Sequence, residues 1–158
     1  MKRLQLVSLL LGALMLIGGG QAAVAATSDD DACRPVHARG VGQDLGGGNT
    51  TATITRGGIL NGTTNAHFDI TGGTPPALSF EGTIVFTTKK GTLTASIAGT
   101  FNVATGAFAA TGAVTGGTGR FAEATGNLSL AGVEDLTTGS FTETVTGRLC
   151  LAEADDDD

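Results

Sequence analysis

Apolar side chains in this chain recur at every second position. The alternation is clearest at Leu78, Phe80, Ile84 and Phe86, again at Leu93, Ala95, Ile97 and Phe101, and again at Phe141, Val145 and Leu149. A period of two belongs to strands that bury one face, because successive side chains of an extended backbone point to opposite sides. The intervening positions are mostly threonine, a β-branched residue suited to an exposed strand face. Short runs of Thr, Val, Ile and Phe are punctuated by glycine, of which the chain has 26, and no helical period appears beyond the N-terminal segment. The class is all-β. Strands are expected at residues 36–42, 50–55, 65–71, 78–88, 92–101, 107–114, 127–134 and 140–151. Eight such strands with no helix to cover an edge favour an eight-stranded antiparallel β-barrel, since closure removes unpaired edges; a two-sheet β-sandwich is the alternative.

Two segments repeat one turn pattern. AGTFNVATGAF (98–108) and AGVEDLTTGSF (131–141) share Ala-Gly, an aliphatic residue, Thr-Gly and Phe at the same offsets. In each, Asn102 or Asp135 can bond the backbone of its own turn, and Gly106 or Gly139 can take the positive φ that closes a hairpin loop of four or five residues.

The N-terminal segment reads as an export signal. Lys2 and Arg3 precede an apolar run at 4–17, too short for a membrane span, followed by three glycines at 18–20 and by Ala23, Val24 and Ala25 at a cleavage-type spacing. The expected organisation is a signal peptide at 1–26, an acidic tail at 27–32, one barrel domain at 33–151 and a second acidic tail at 152–158. No later run is long enough to span a membrane, and the expected location is secreted or periplasmic. The formal charge of −6 is misleading about the domain. Seven acids and seven bases balance between residues 32 and 152, so the excess sits in the tails, which read as solvated charge. An exported chain with two cysteines, one at each end of its domain, has one possible intramolecular bridge, Cys33 to Cys150.

At GGTGRFAEATG (116–126) the chain resembles the Gly-Gly-Thr-Gly-x-Phe-x-x-Ala-x-Gly signature of the allene oxide cyclase and dirigent barrel superfamily, in particular its small secreted bacterial relatives. The likeness extends more loosely over about 82–149, roughly half of the exported part. It implies an eight-stranded antiparallel barrel with a central cavity and, in the plant members, cyclisation or stereocontrolled coupling of small, largely apolar substrates. The residues themselves agree. Gly116, Gly117 and Gly119 allow a tight crossing, Phe121 can plug the barrel, and Gly126 lets the next strand begin. The family's catalytic acids have no residue-by-residue match here, and the chain has neither Tyr nor Trp to orient an aromatic substrate.

Several chemistries find no support in the residues. Two histidines, His37 and His67, do not make a zinc or mononuclear iron site of the usual ligand count. His67 and Asp69 lie two apart on a strand whose buried face is claimed by Ala66, Phe68 and Ile70, so they read as solvated side chains. The GGTG run lacks the lysine and the helix of a phosphate loop. There is no basic stripe and no aromatic platform for nucleic acid, and no Trp or Tyr for sugar stacking. No cofactor and no metal is expected.

One residue breaks the pattern of its strand. Glu143 shares the parity of Phe141, Val145 and Leu149, while Thr142, Thr144, Thr146 and Arg148 point the other way. A carboxylate on the inner face is costly unless it lies near the mouth, is protonated, or meets a base such as Arg39 or His37 across the cavity. Glu143, with Arg39 and His37, is therefore the candidate ligand-binding set. The expected role is binding of a small apolar molecule in the barrel. A cyclase- or isomerase-like enzyme and a structural or surface protein built on threonine rows are the alternatives.

Overall fold

The computed structural model describes residues 33–152. The expected signal peptide, the acidic tail at 27–32 and residues 153–158 of the second tail lie outside the described residues. Eight strands follow in order: β1 (Cys33–Gly46), β2 (Asn49–Thr55), β3 (Gly62–Thr74), β4 (Ala77–Thr88), β5 (Gly91–Asn102), β6 (Ala107–Gly117), β7 (Thr125–Glu134) and β8 (Ser140–Cys150). Each pairs antiparallel with its neighbours in sequence, and β8 returns to β1, so the sheet closes on itself. The seam runs unbroken from Cys33 opposite Cys150 to Gln43 opposite Ser140. That seam decides for the barrel over the sandwich, whose sheets would keep free edges. Among the described residues no helix is long and apolar enough to cross a membrane.

All eight expected strands are present, and several are longer than their apolar signal. β1 extends four residues past the expected Gly42, because Gln43 and Asp44 pair with Thr51 and Thr50 despite carrying no apolar side chain. β3 begins at Gly62, three residues before the expected start, on pairs with Ile54 and Thr88.

The two ends of the barrel differ. One carries the β2–β3, β4–β5 and β6–β7 connections and both ends of the described chain, where a disulfide joins Cys33 to Cys150. Two single turns of 3₁₀ helix, Gly58–Leu60 and Gly119–Phe121, stop this end by burying Leu60 and Phe121 completely. Phe121 thus plugs the barrel, in line with the sequence. Gly117 must be small there, since a Cβ would stand 2.6 Å from the Phe121 carbonyl oxygen and 2.7 Å from its Cβ. The same half holds five of the six other large, fully buried side chains, Ile54, Phe86, Leu93, Leu128 and Leu149, and the sixth, Val145, lies midway along β8. Burying a side chain of this size contributes about 1.5–3 kcal/mol.

The opposite end carries the β1–β2, β3–β4, β5–β6 and β7–β8 hairpins. The repeated turn pattern folds alike in both of its copies. Asn102 Oδ1 accepts from the Ala104 and Thr105 amides at 2.9 and 3.2 Å, and Asp135 Oδ1 accepts from Thr137 and Thr138 at 2.8 and 3.2 Å. Gly106 and Gly139 close these loops at φ 71° and 70°. No turn from this end folds inward as Phe121 does from the other, so the barrel is stoppered at one end and open at the other.

Candidate functional site

A cavity of about 440 Å³ occupies the open half, within the 300–1,000 Å³ usual for small-molecule pockets. Alternation supplies its apolar wall. The inward positions of β3 to β8 in this half include Phe68, Phe80, Phe101, Phe108 and Phe141, five of the chain's seven phenylalanines. Their rings brace one another: Phe68 and Phe80 lie 5.2 Å apart between centroids, and Phe108 meets Phe141 edge-to-face at 6.0 Å. Such ring pairs fix the wall's shape, and the space they enclose stays open toward the hairpins.

Glu143 lies on this wall. The pairings of β8 with both neighbours run without a register shift, so parity holds along the strand and the carboxyl faces inward with Phe141 and Val145. The residue is only 8% exposed. Both cross-strand partners are glycines, Gly40 on β1 and Gly132 on β7. The Glu143 side chain leans over Gly40, where a Cβ would meet Oε1 at 2.5 Å and Cγ at 2.6 Å. The Phe108 ring occupies the space over Gly132, where a Cβ would meet its Cζ at 2.5 Å. Two glycines thus give one carboxyl and one ring the room that side chains would otherwise take. Among the described residues the Glu143 carboxylate has no hydrogen bond or ion pair. Burial alone pushes its pKa from 4.5 up to about 7.

The expected partners of Glu143 are elsewhere. His37 and Arg39 alternate with Val36, Ala38 and Gly40, which face inward, and both are exposed on the outer surface. Their cross-strand neighbours on β8 are Thr146 and Thr144, residues of the outward threonine row. The barrel wall separates them from the cavity, so the site loses the two bases expected of it from sequence. His67 and Asp69 are solvated as expected, with Nε2 3.6 Å from Oδ1 and side chains 55% and 80% exposed.

Besides the exposed Asp69 at the cavity mouth, two further carboxylates belong to the site. Asp44 on β1 and Glu134 on β7 line the cavity near its mouth. Burial, with a smaller push from the Asp44 charge, raises the pKa of Glu134. The signal for both was present in the sequence, because Asp44 shares the parity of Val36 and Ala38, and Glu134 that of Leu128 and Leu130. Thr64, almost fully buried, adds a hydroxyl to the lining. Among the described residues no lysine, arginine or histidine lines the cavity.

Fold and site together define an eight-stranded antiparallel barrel with one stoppered end and an aromatic cavity that holds a buried acid. No family model and no curated protein matches the chain. Among solved structures, the chain is similar to the pterocarpan synthase dirigent protein PsPTS1, at 18% identity and a TM-score of 0.34, over 77% of this chain and 97% of that one. It is also similar to the pterocarpan synthase dirigent protein GePTS1, at 16% identity and a TM-score of 0.32, over 80% of this chain and 90% of that one. The barrel described above rests on this chain's own strand pairing.

Proposed function

We propose that this protein is an exported small-molecule-binding barrel that holds a largely apolar ligand in its open half, with Glu143 as the polar anchor. The observation that carries the reading is an acidic residue only 8% exposed, its carboxyl without a partner among the described residues, on the wall of a cavity of about 440 Å³. An unpaired buried polar group is costly, and a ligand group bonded to it offsets that cost. Export, to a secreted or periplasmic location, is supported by the apolar run at 4–17 with its small-residue boundary and by the disulfide. Kinship with the allene oxide cyclase and dirigent barrels, small bacterial members included, is supported by the Gly116 to Gly126 signature and its place at the plugged end.

A second reading has one observation in its favour. A carboxyl with a pKa near 7 is suited to proton transfer at neutral pH, which a cyclase or isomerase would use. The test is a native mass spectrum of the protein purified from its own host, beside Glu143→Gln prepared identically. Binding predicts a small organic adduct on the parent protein that the variant loses. Bare masses for both would remove the reading, and conversion of the released compound by fresh protein would favour the enzyme.

A further inference from the structure

We propose that the cavity selects organic cations, apolar molecules that carry an ammonium group, over neutral or anionic molecules of the same shape. The proposal rests on the reading that the cavity binds a small molecule and names the ligand's class. Three observations lead to it.

The first is the lining. Asp44, Glu134 and Glu143 all face the space, Asp69 stands at its mouth, and no base among the described residues offsets them there. An anionic ligand would meet like charge at the mouth and again inside. A neutral ligand would leave Glu143 unpaired whenever it ionises. An ammonium ion gives that carboxylate the opposite charge it lacks, in surroundings where the interaction is weakly screened.

The second is the aromatic wall. Five phenylalanine rings surround the cavity, and the face of a benzene ring attracts a cation while its body excludes water. Rings beside carboxylates, without a competing lysine or arginine, make up the chemistry that recognises alkylammonium groups. A cavity built for fatty acids or other carboxylates would place a base where Glu143 stands.

The third is the distribution of charge along the barrel axis. Asp44, Asp69, Glu81, Glu134, Asp135 and Glu143 all lie in the open half. Arg34, Arg56, Lys89, Lys90, Arg120 and Arg148 all lie toward the stoppered end. Among the described residues only Arg39, near the middle, and Glu123, beside the plug, depart from this division. A domain of near-zero net charge therefore presents a negative mouth, which draws cations toward the cavity and repels anions.

The experiment compares three probes of similar shape: phenyltrimethylammonium, tert-butylbenzene and 4-tert-butylbenzoate. The first two differ only in a charged nitrogen replacing a carbon. Each is titrated into isotopically labelled protein, with the Gly40 and Gly132 amides, which flank Glu143, as site-specific reporters. At pH 8 the ammonium probe is expected to bind at least tenfold tighter than tert-butylbenzene, with the benzoate weakest. Because this probe carries no titratable proton, its affinity is expected to rise at least fivefold from pH 5 to pH 8. The charged groups that face it, Glu143, Glu134, Asp44 and Asp69, are all acids, and Glu143 is the one whose burial carries its ionisation into this range. Glu143→Gln is expected to reduce the preference for the cation at least fivefold while leaving tert-butylbenzene binding nearly unchanged. The pH series on the unaltered protein decides the same question if that variant folds poorly. Equal or tighter binding of tert-butylbenzene would overturn cation selection and leave the binding barrel standing. An ammonium probe that leaves Gly40 and Gly132 unmoved would overturn it too, and silence from all three probes would remove both readings.

Discussion

Replacing Glu143 by glutamine is expected to make the barrel more stable at pH 8 and to leave its stability at pH 4 nearly unchanged. Glutamine keeps the shape of the protonated acid and cannot ionise, so the difference between the two proteins isolates one titration. The Glu143 carboxyl has a pKa of about 7 when folded, against 4.5 for an exposed group. A carboxyl whose folded pKa lies above its unfolded one binds more protons in the folded state between the two values. Stability therefore falls as pH rises through the window from 4.5 to about 7, and the loss is complete above it. At about 1.4 kcal/mol per pKa unit, that interval corresponds to roughly 3 kcal/mol. The assay is urea denaturation of both proteins, disulfide intact, at half-unit steps from pH 4 to pH 8. Glu134 is also raised and Asp135 lowered, but both are common to the two proteins and cancel in the difference. The expected result is a gap between the stability curves that opens from near zero to roughly 3 kcal/mol in favour of the variant. Parallel curves would contradict it, since Glu143 would then titrate as an exposed group does.

Reducing the Cys33–Cys150 disulfide, which closes a separation of 117 residues, is expected to cost about 4 to 5 kcal/mol on the chain-entropy model. Denaturation with and without reductant measures it, and a cost below about 1 kcal/mol would show that the seam alone already holds the chain ends. Gly139→Ala is expected to cost about 1 to 2 kcal/mol for its left-handed backbone, and Gly106→Ala clearly more. A methyl at Gly106 would also run into the Glu134 carbonyl, whereas at Gly139 the nearest atom is the movable Gln43 amide nitrogen at 2.9 Å. Equal melting temperatures for the two variants would count against that difference. His37→Ala and Arg39→Ala are expected to leave binding of an apolar probe within about twofold, since both side chains lie outside the wall; tenfold weakening in either, by calorimetry, would place a base at the site after all.

The barrel was legible because closure follows from a pattern the sequence carries in full. Alternation in β4, β5 and β8, broken only at single positions such as Val85 and Glu143, marks one wet face and one dry face, and eight such strands without a covering helix have few other ways to hide their edges. The inward aim of Glu143 was legible by the same parity, because no bulge interrupts β8. The turns were legible too, since Asn102, Gly106, Asp135 and Gly139 each act locally. What the sequence hid is what closure decides. The cavity exists because large side chains fill one half of the barrel and rings line the other, and that division depends on the register between strands distant in sequence. The ends of β1 and β3 were hidden because Gln43, Asp44 and Gly62 pair through their backbones and carry no apolar mark. The case for His37 and Arg39 in the cavity rests on charge alone, the need to neutralise Glu143. Alternation with the inward Val36 and Ala38 places them outside, and the same kind of count finds Asp44 on β1 and Glu134 on β7 inside.

The most direct measurement is the titration of Glu143 itself. Carboxyl carbon shifts of glutamate-labelled protein, assigned by comparison with Glu143→Gln and followed from pH 3 to pH 9, report the environment of that one group without reference to any ligand. A carboxyl held by burial on the cavity wall, with no partner among the described residues, titrates with a midpoint near 7, and its curve shifts when an organic cation occupies the cavity. A midpoint near 4.5 would place Glu143 in water, and with it would go the anchor on which the proposed function and the ligand class depend.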